Sequence, residues 1–204
     1  MKKKALILLF PFLLNLSVSG QTLFKINQYN VLYKGDLMPI ITLFANHQII
    51  NRLGISGYFY VNAYPKSSWG EGLIGVNYTV IDGLTLGFLA GFQSNEARIW
   101  RISPLVMMNF GKFSFFGAFE FWGKRYRWDA MAFYSVSSVK FGGEFIRYYQ
   151  MYAAGPRIEF SFLKKQPITI FYSFLWDWSY GYPAHMFGIY TSFGKLTRAI
   201  DFDE

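Results

Sequence analysis

Along most of this chain hydrophobic residues recur at every second position and seldom at helical spacing. In "FSFFGAFEFW", Phe113, Phe115, Gly117, Phe119 and Phe121 take one set of alternate positions, and Ser114, Phe116, Ala118, Glu120 and Trp122 take the other. Residues 72, 74, 76, 78 and 80 read Gly, Ile, Val, Tyr, Val, with Glu71, Asn77 and Thr79 on the odd positions. "RIEFSF" sets Ile158, Phe160 and Phe162 against Arg157, Glu159 and Ser161. From 168 to 178, Ile, Ile, Tyr, Phe, Trp and Trp alternate with Thr169, Phe171, Ser173, Leu175 and Asp177. Successive side chains of a strand point to opposite faces, so this pattern predicts strands with one greasy face.

Eleven strands follow, near 38–49, 54–63, 71–81, 84–93, 98–110, 113–123, 126–136, 139–149, 154–163, 167–178 and 184–194. A twelfth is expected at 22–33, where "TLFKINQYNVLY" alternates least clearly. Ten would remain if 126–149 formed an external hairpin. Turn lengths test these faces, because residues paired across a hairpin share a face. Phe110 opposite Phe113 leaves Gly111-Lys112, with Gly first as a type II′ turn prefers. Val80 opposite Leu84 leaves Ile81-Asp82-Gly83, a three-residue loop with Gly in the left-handed position. Phe162 opposite Ile168, and Val136 opposite Val139 around Ser137-Ser138, also keep their faces. The remaining connections, "AYPKSSWG", "QSNEAR", "WGKRY", "YYQMYAAG" and "WSYGYPA", are longer and wetter.

A soluble sandwich and a transmembrane barrel both use such strands. The greasy face here is rich in Phe, and charges stand mid-strand on the opposite face, as in a wet lumen. The start, "MKKKALILLFPFLLNLSVSGQ", has three lysines, an apolar run from Ala5 to Leu14, and small residues before Gln21. This predicts a secretory signal peptide over residues 1–20. The run is shorter than the roughly 20 residues of a spanning helix and contains Pro11. Exported strands placed in a bilayer must close on themselves, because an open edge leaves backbone groups unpaired in hydrocarbon. The expected fold is therefore an all-β, antiparallel, up-and-down transmembrane barrel of twelve strands over 21–195, with 196–204 as a periplasmic C-terminal tail. Trp69, Trp100, Trp122, Trp128, Trp176 and Trp178 all lie in or near the long connections, which predicts an aromatic girdle at the outer interface.

Across residues 21–195 the pattern resembles the small outer-membrane β-barrel proteins of Gram-negative bacteria, a likeness to a class rather than to one member. It implies an outer-membrane location, contact with outer-membrane lipids, and folding by the barrel-assembly machinery. Such proteins end in a strand whose terminal aromatic that machinery reads. Here "FGIYTSFGK" offers Phe193, and "LTRAIDFDE" follows it.

Composition narrows the chemistry. Charged residues are 16% of the chain, against about 25% in an average soluble domain. With no Cys, disulfides and thiolate metal sites are excluded. Removing Lys2, Lys3 and Lys4 takes the formal charge from +8 to +5, and the remaining basic residues form no stripe, so nucleic acid is not an expected partner. The inward charges predicted by register are Glu71, Arg101, Glu120, Arg127, Asp129, Lys140, Glu144, Arg157, Glu159 and Asp177. Six acids against four bases suit a mutually paired network or a weakly selective lumen. Only two histidines exist, His47 and His185. His185 near Asp177 and Ser179 is the one place a hydrolase-like site could form, and it lacks the spacing of a triad. No enzyme, cofactor or metal site is expected. The readings that remain are a narrow passive pore for small solutes, a closed barrel serving structure, adhesion or assembly, and last a lipid-modifying enzyme.

Overall fold

The computed structural model describes residues 22–50, 52–65, 67–94, 100–123, 125–148, 151–163 and 168–194. The signal peptide and the C-terminal tail expected from the sequence lie outside them. Twelve strands run in order: β1 (Thr22–Tyr33), β2 (Asp36–Ile50), β3 (Leu53–Asn62), β4 (Trp69–Ile81), β5 (Leu84–Gln93), β6 (Trp100–Phe110), β7 (Phe113–Trp122), β8 (Arg125–Val136), β9 (Val139–Tyr148), β10 (Met151–Phe162), β11 (Ile168–Asp177) and β12 (Tyr182–Phe193). Each pairs antiparallel with its neighbours in sequence, and β1 pairs with β12, closing the barrel. The weakly patterned segment 22–33 is thus a full strand, and residues 126–136 and 139–148 belong to the wall, with no external hairpin. Its alternation is blurred because Lys25 and Asn27 share the inner face with Tyr29, Val31 and Tyr33.

Outside, the wall is apolar. Ile74 is 67% exposed, and Val76, Phe88, Phe121, Phe141 and Ile170 are each about half exposed. A belt of this extent around every strand is not a soluble surface, where contiguous apolar patches stay small. It is the lipid face of a membrane barrel. No helix among the described residues is long and apolar enough to cross a membrane.

The tight turns obey the predicted parity with one exception. Phe110 faces Phe113 and Val136 faces Val139, while Phe162 faces Ile168. Gly111 has φ +60°, the left-handed value that opens a type II′ turn. In the β4–β5 hairpin, however, Ile81 and not Val80 faces Leu84, because the register shifts between Thr79 and Ile81. A bulge absorbs the extra residue and leaves Asp82-Gly83 as the turn, with Gly83 at φ +87°. Two of the stretches expected as long connections are partly strand. β7 passes to β8 across 123–124 and β9 to β10 across 149–150, since "RY" of "WGKRY" and "MYAAG" already belong to strands.

Candidate functional site

The polar side chains that could act on anything are inside the barrel. Register pairing puts all ten sequence-predicted charges on the inner face, together with Lys25, which was missed because β1 alternates so weakly. They divide into two groups.

The first stands at the end of the barrel that carries every Trp. Glu71 lies near the start of β4, Arg101 at the start of β6, Glu120 near the end of β7 and Arg127 near the start of β8. Arg127 Nη2 donates to Glu71 Oε1 at 2.7 Å and also to Glu120 Oε1. Three strands separate β8 from β4, so the bond to Glu71 crosses the lumen. The guanidinium carbon lies 5.5 Å from the Tyr60 ring centre and 5.8 Å from that of Trp69, and those two rings stack at 4.7 Å. Arg101 donates through Nε to Gln93 Oε1 at 3.2 Å, sits 4.1 Å over the Trp122 ring, and approaches Glu71 Oε2 to 3.8 Å. The second oxygens of Glu71 and Glu120, and Asp129 Oδ1, are buried without a hydrogen-bond donor. This mouth is crossed by charge and incompletely satisfied.

The second group lies deeper, along adjacent strands. Arg157 donates through Nη1 to Glu144 Oε2 at 3.1 Å and through Nε to Glu159 Oε1 at 2.9 Å. Ser173 Oγ–H reaches Glu144 Oε2 at 2.6 Å, and Tyr190 O–H reaches Glu159 Oε2 at 2.6 Å. The guanidinium lies 3.8 Å over Phe171, and Lys25 Nζ sits 3.8 Å over the Tyr190 ring. Lys140 stands beside Glu159 in the β9–β10 register. Asp177 stands apart from both groups at the Trp-bearing rim, where it accepts from Tyr33 O–H at 2.5 Å and from the Ser179 N–H at 2.9 Å.

One sequence expectation needs correction, and one rejected candidate can now be placed. Trp69 and Trp122 are not part of an outer girdle: they face inward and are 6% and 5% exposed, packed against Arg127 and Arg101. Parity already required this, since each lies two residues from an inward glutamate, Glu71 or Glu120. Trp100, Trp128 and Trp176 do face outward, at 70% exposure for Trp100, and Trp178 follows β11 at the same end. The rejected candidate is His185. It points to the lipid side, where Nδ1 meets Tyr172 Oη at 2.7 Å and the ring stands edge-on to Phe174. Asp177 is on the opposite face of the wall. His47 also faces outward and meets Thr22 Oγ1 at 2.8 Å. Among the described residues no group of three or more His, Cys, Asp or Glu could hold a metal ion.

No protein-family model matches the sequence, and no curated protein matches it. Solved structures do. The KdgM porin is 13% identical with a TM-score of 0.55, over 83% of this chain and 98% of that one. The NanC porin is 14% identical with a TM-score of 0.54, over 82% and 98%. The CymD monoaromatic hydrocarbon channel is 7% identical with a TM-score of 0.50, over 90% and 92%. The shared property is the fold: this chain has the architecture of a closed, antiparallel outer-membrane β-barrel.

Proposed function

We propose that this barrel is a narrow passive pore for small solutes, its passage set by the charged mouth between β4 and β8. The observation that carries the reading is the inner wall, which presents ionised and hydrogen-bonding groups from Asp177 and Glu71 at one end to Lys140 at the other. The deep charges are paired as a structural network would be, but at the mouth Glu71 and Glu120 each keep an oxygen without a donor, which a purely structural interior does not require. With Lys25 and the rim residues Arg125 and Asp36 added, six bases face seven acids, so weak ion selectivity is expected. Similarity of fold to porins agrees with transport but does not name a solute.

One observation favours a closed barrel instead: inward Leu73, Leu89, Leu105 and Met107 form a packed apolar cluster that narrows the bore. An enzymatic role has less support, because the wall separates His185 from Asp177. Single-channel recording of residues 21–204 refolded into a planar bilayer decides between pore and plug. Discrete conductance steps with a near-zero reversal potential in a salt gradient are expected. Silence from protein shown to be folded by its heat-modifiable gel mobility would overturn the pore.

A further inference from the structure

One charged side chain faces the wrong way for a membrane barrel. Arg147, one residue from the end of β9, pairs in register with Trp128 on one side and Tyr152 on the other, both outward positions. Its guanidinium carbon lies 3.6 Å over the Tyr126 ring and 4.3 Å over the Tyr152 ring. Trp128 stacks on Phe145 at 4.3 Å, and Phe145 meets Trp178 at 6.0 Å, so the cation sits inside an aromatic belt. No carboxylate pairs with it among the described residues, and its Nε is buried without an acceptor. A charge on the lipid face is costly at mid-bilayer and nearly free of cost at the interface, where belts of this composition lie.

We propose that Arg147, held flat between Tyr126 and Tyr152, binds the phosphate of an anionic membrane lipid in the leaflet at the Trp-bearing end. Three features fit that occupant and no other on this surface. The planar guanidinium offers paired N–H donors that match phosphate oxygens. The two tyrosine rings fix its plane and hold it at the depth where headgroups are found. No anion among the described residues meets it, and the surroundings of this outward face are lipid. The inference depends on the barrel lying in a membrane and not on its conducting anything.

Native mass spectrometry of the protein released from nanodiscs tests it. The probes are phosphatidylglycerol and, as a phosphate-free control, a neutral galactolipid. Wild type should retain phosphatidylglycerol, and Arg147→Gln should retain it roughly five- to tenfold less, the loss expected for one interfacial cation with its hydrogen bonds. Galactolipid retention should be the same for both. Arg147→Lys keeps the charge but not the stacked fork, and should fall close to Arg147→Gln; it also decides the question should Arg147→Gln fail to fold. Equal phosphatidylglycerol retention by wild type and both variants would overturn the site. So would wild-type retention by Arg147→Lys, which would reduce the effect to bulk charge. Arg147-dependent binding of inorganic phosphate in detergent, matching the lipid in strength, would overturn the assignment to a lipid.

Discussion

The two charged groups inside the barrel use the same residue types and behave as opposites. Around Arg157, both carboxylates belong to strands of the same stretch of wall, each second donor is a neighbouring hydroxyl, and Phe171 backs the guanidinium. Around Arg127, one carboxylate belongs to the far wall, and the outer oxygens of Glu71 and Glu120 have no donor. A fully satisfied ionic network in a low-dielectric wall is rigid, because losing any member strands the others. The bridge from Arg127 to the other side of the barrel is buried too, but it leaves carboxylate oxygens without donors and so is held by fewer bonds. The deep group is therefore the masonry of the barrel, and the mouth is the part with freedom to rearrange.

Removing the cation should separate them most clearly. Arg157→Ala leaves two buried carboxylates against aromatic rings, and a loss of about 3–5 kcal/mol is expected, read from urea unfolding in lipid vesicles. Double-mutant cycles come next. The Arg157–Glu144 coupling should reach about 2–3 kcal/mol and the Arg127–Glu71 coupling about 1 kcal/mol; equal couplings would erase the distinction. Ser173→Ala removes a donor to a charged acceptor in the sealed group and should cost about 1.5 kcal/mol in the same unfolding assay. Arg127→Ala leaves Glu71 and Glu120 buried without their shared cation and should cost about 3 kcal/mol, the low end of the range because Arg101 remains near Glu71. Its larger consequence is functional: unit conductance should rise, and the reversal potential should shift toward cation preference, since two acids then face Arg101 alone. The mildest test is optical. Brominated lipids should quench Trp100, Trp128 and Trp176 and leave Trp69 and Trp122 bright, each read in a variant retaining a single tryptophan.

Most of the barrel was legible because lipid and lumen impose opposite demands on neighbouring residues, so parity alone gives strand, face and turn. It failed in three places for three physical reasons. Strand β1 hid Lys25 because a membrane face tolerates Gln28 near a weak segment, and alternation is lost when both faces carry polar residues. The bulge at Val80 was invisible because a shifted register adds a residue without changing the composition. The two lumen tryptophans were misplaced because their nearness to long connections was weighed over their parity with Glu71 and Glu120. The cross-lumen bridge itself had no signal at all. Glu71 and Arg127 are fifty-six positions apart, and nothing local to either predicts the other.

The wall of this barrel is one chain thick, so Glu120 has Phe119 and Phe121 as its covalent neighbours while belonging to a different solvent. The gene thus writes two interleaved texts, one addressed to water and one to hydrocarbon. A point change at 118, 120 or 122 edits the interior and leaves the bilayer fit alone; a change at 117, 119 or 121 does the reverse. Drift can rewrite either text without the other, which lets a barrel keep its shape across lineages while almost every letter is replaced.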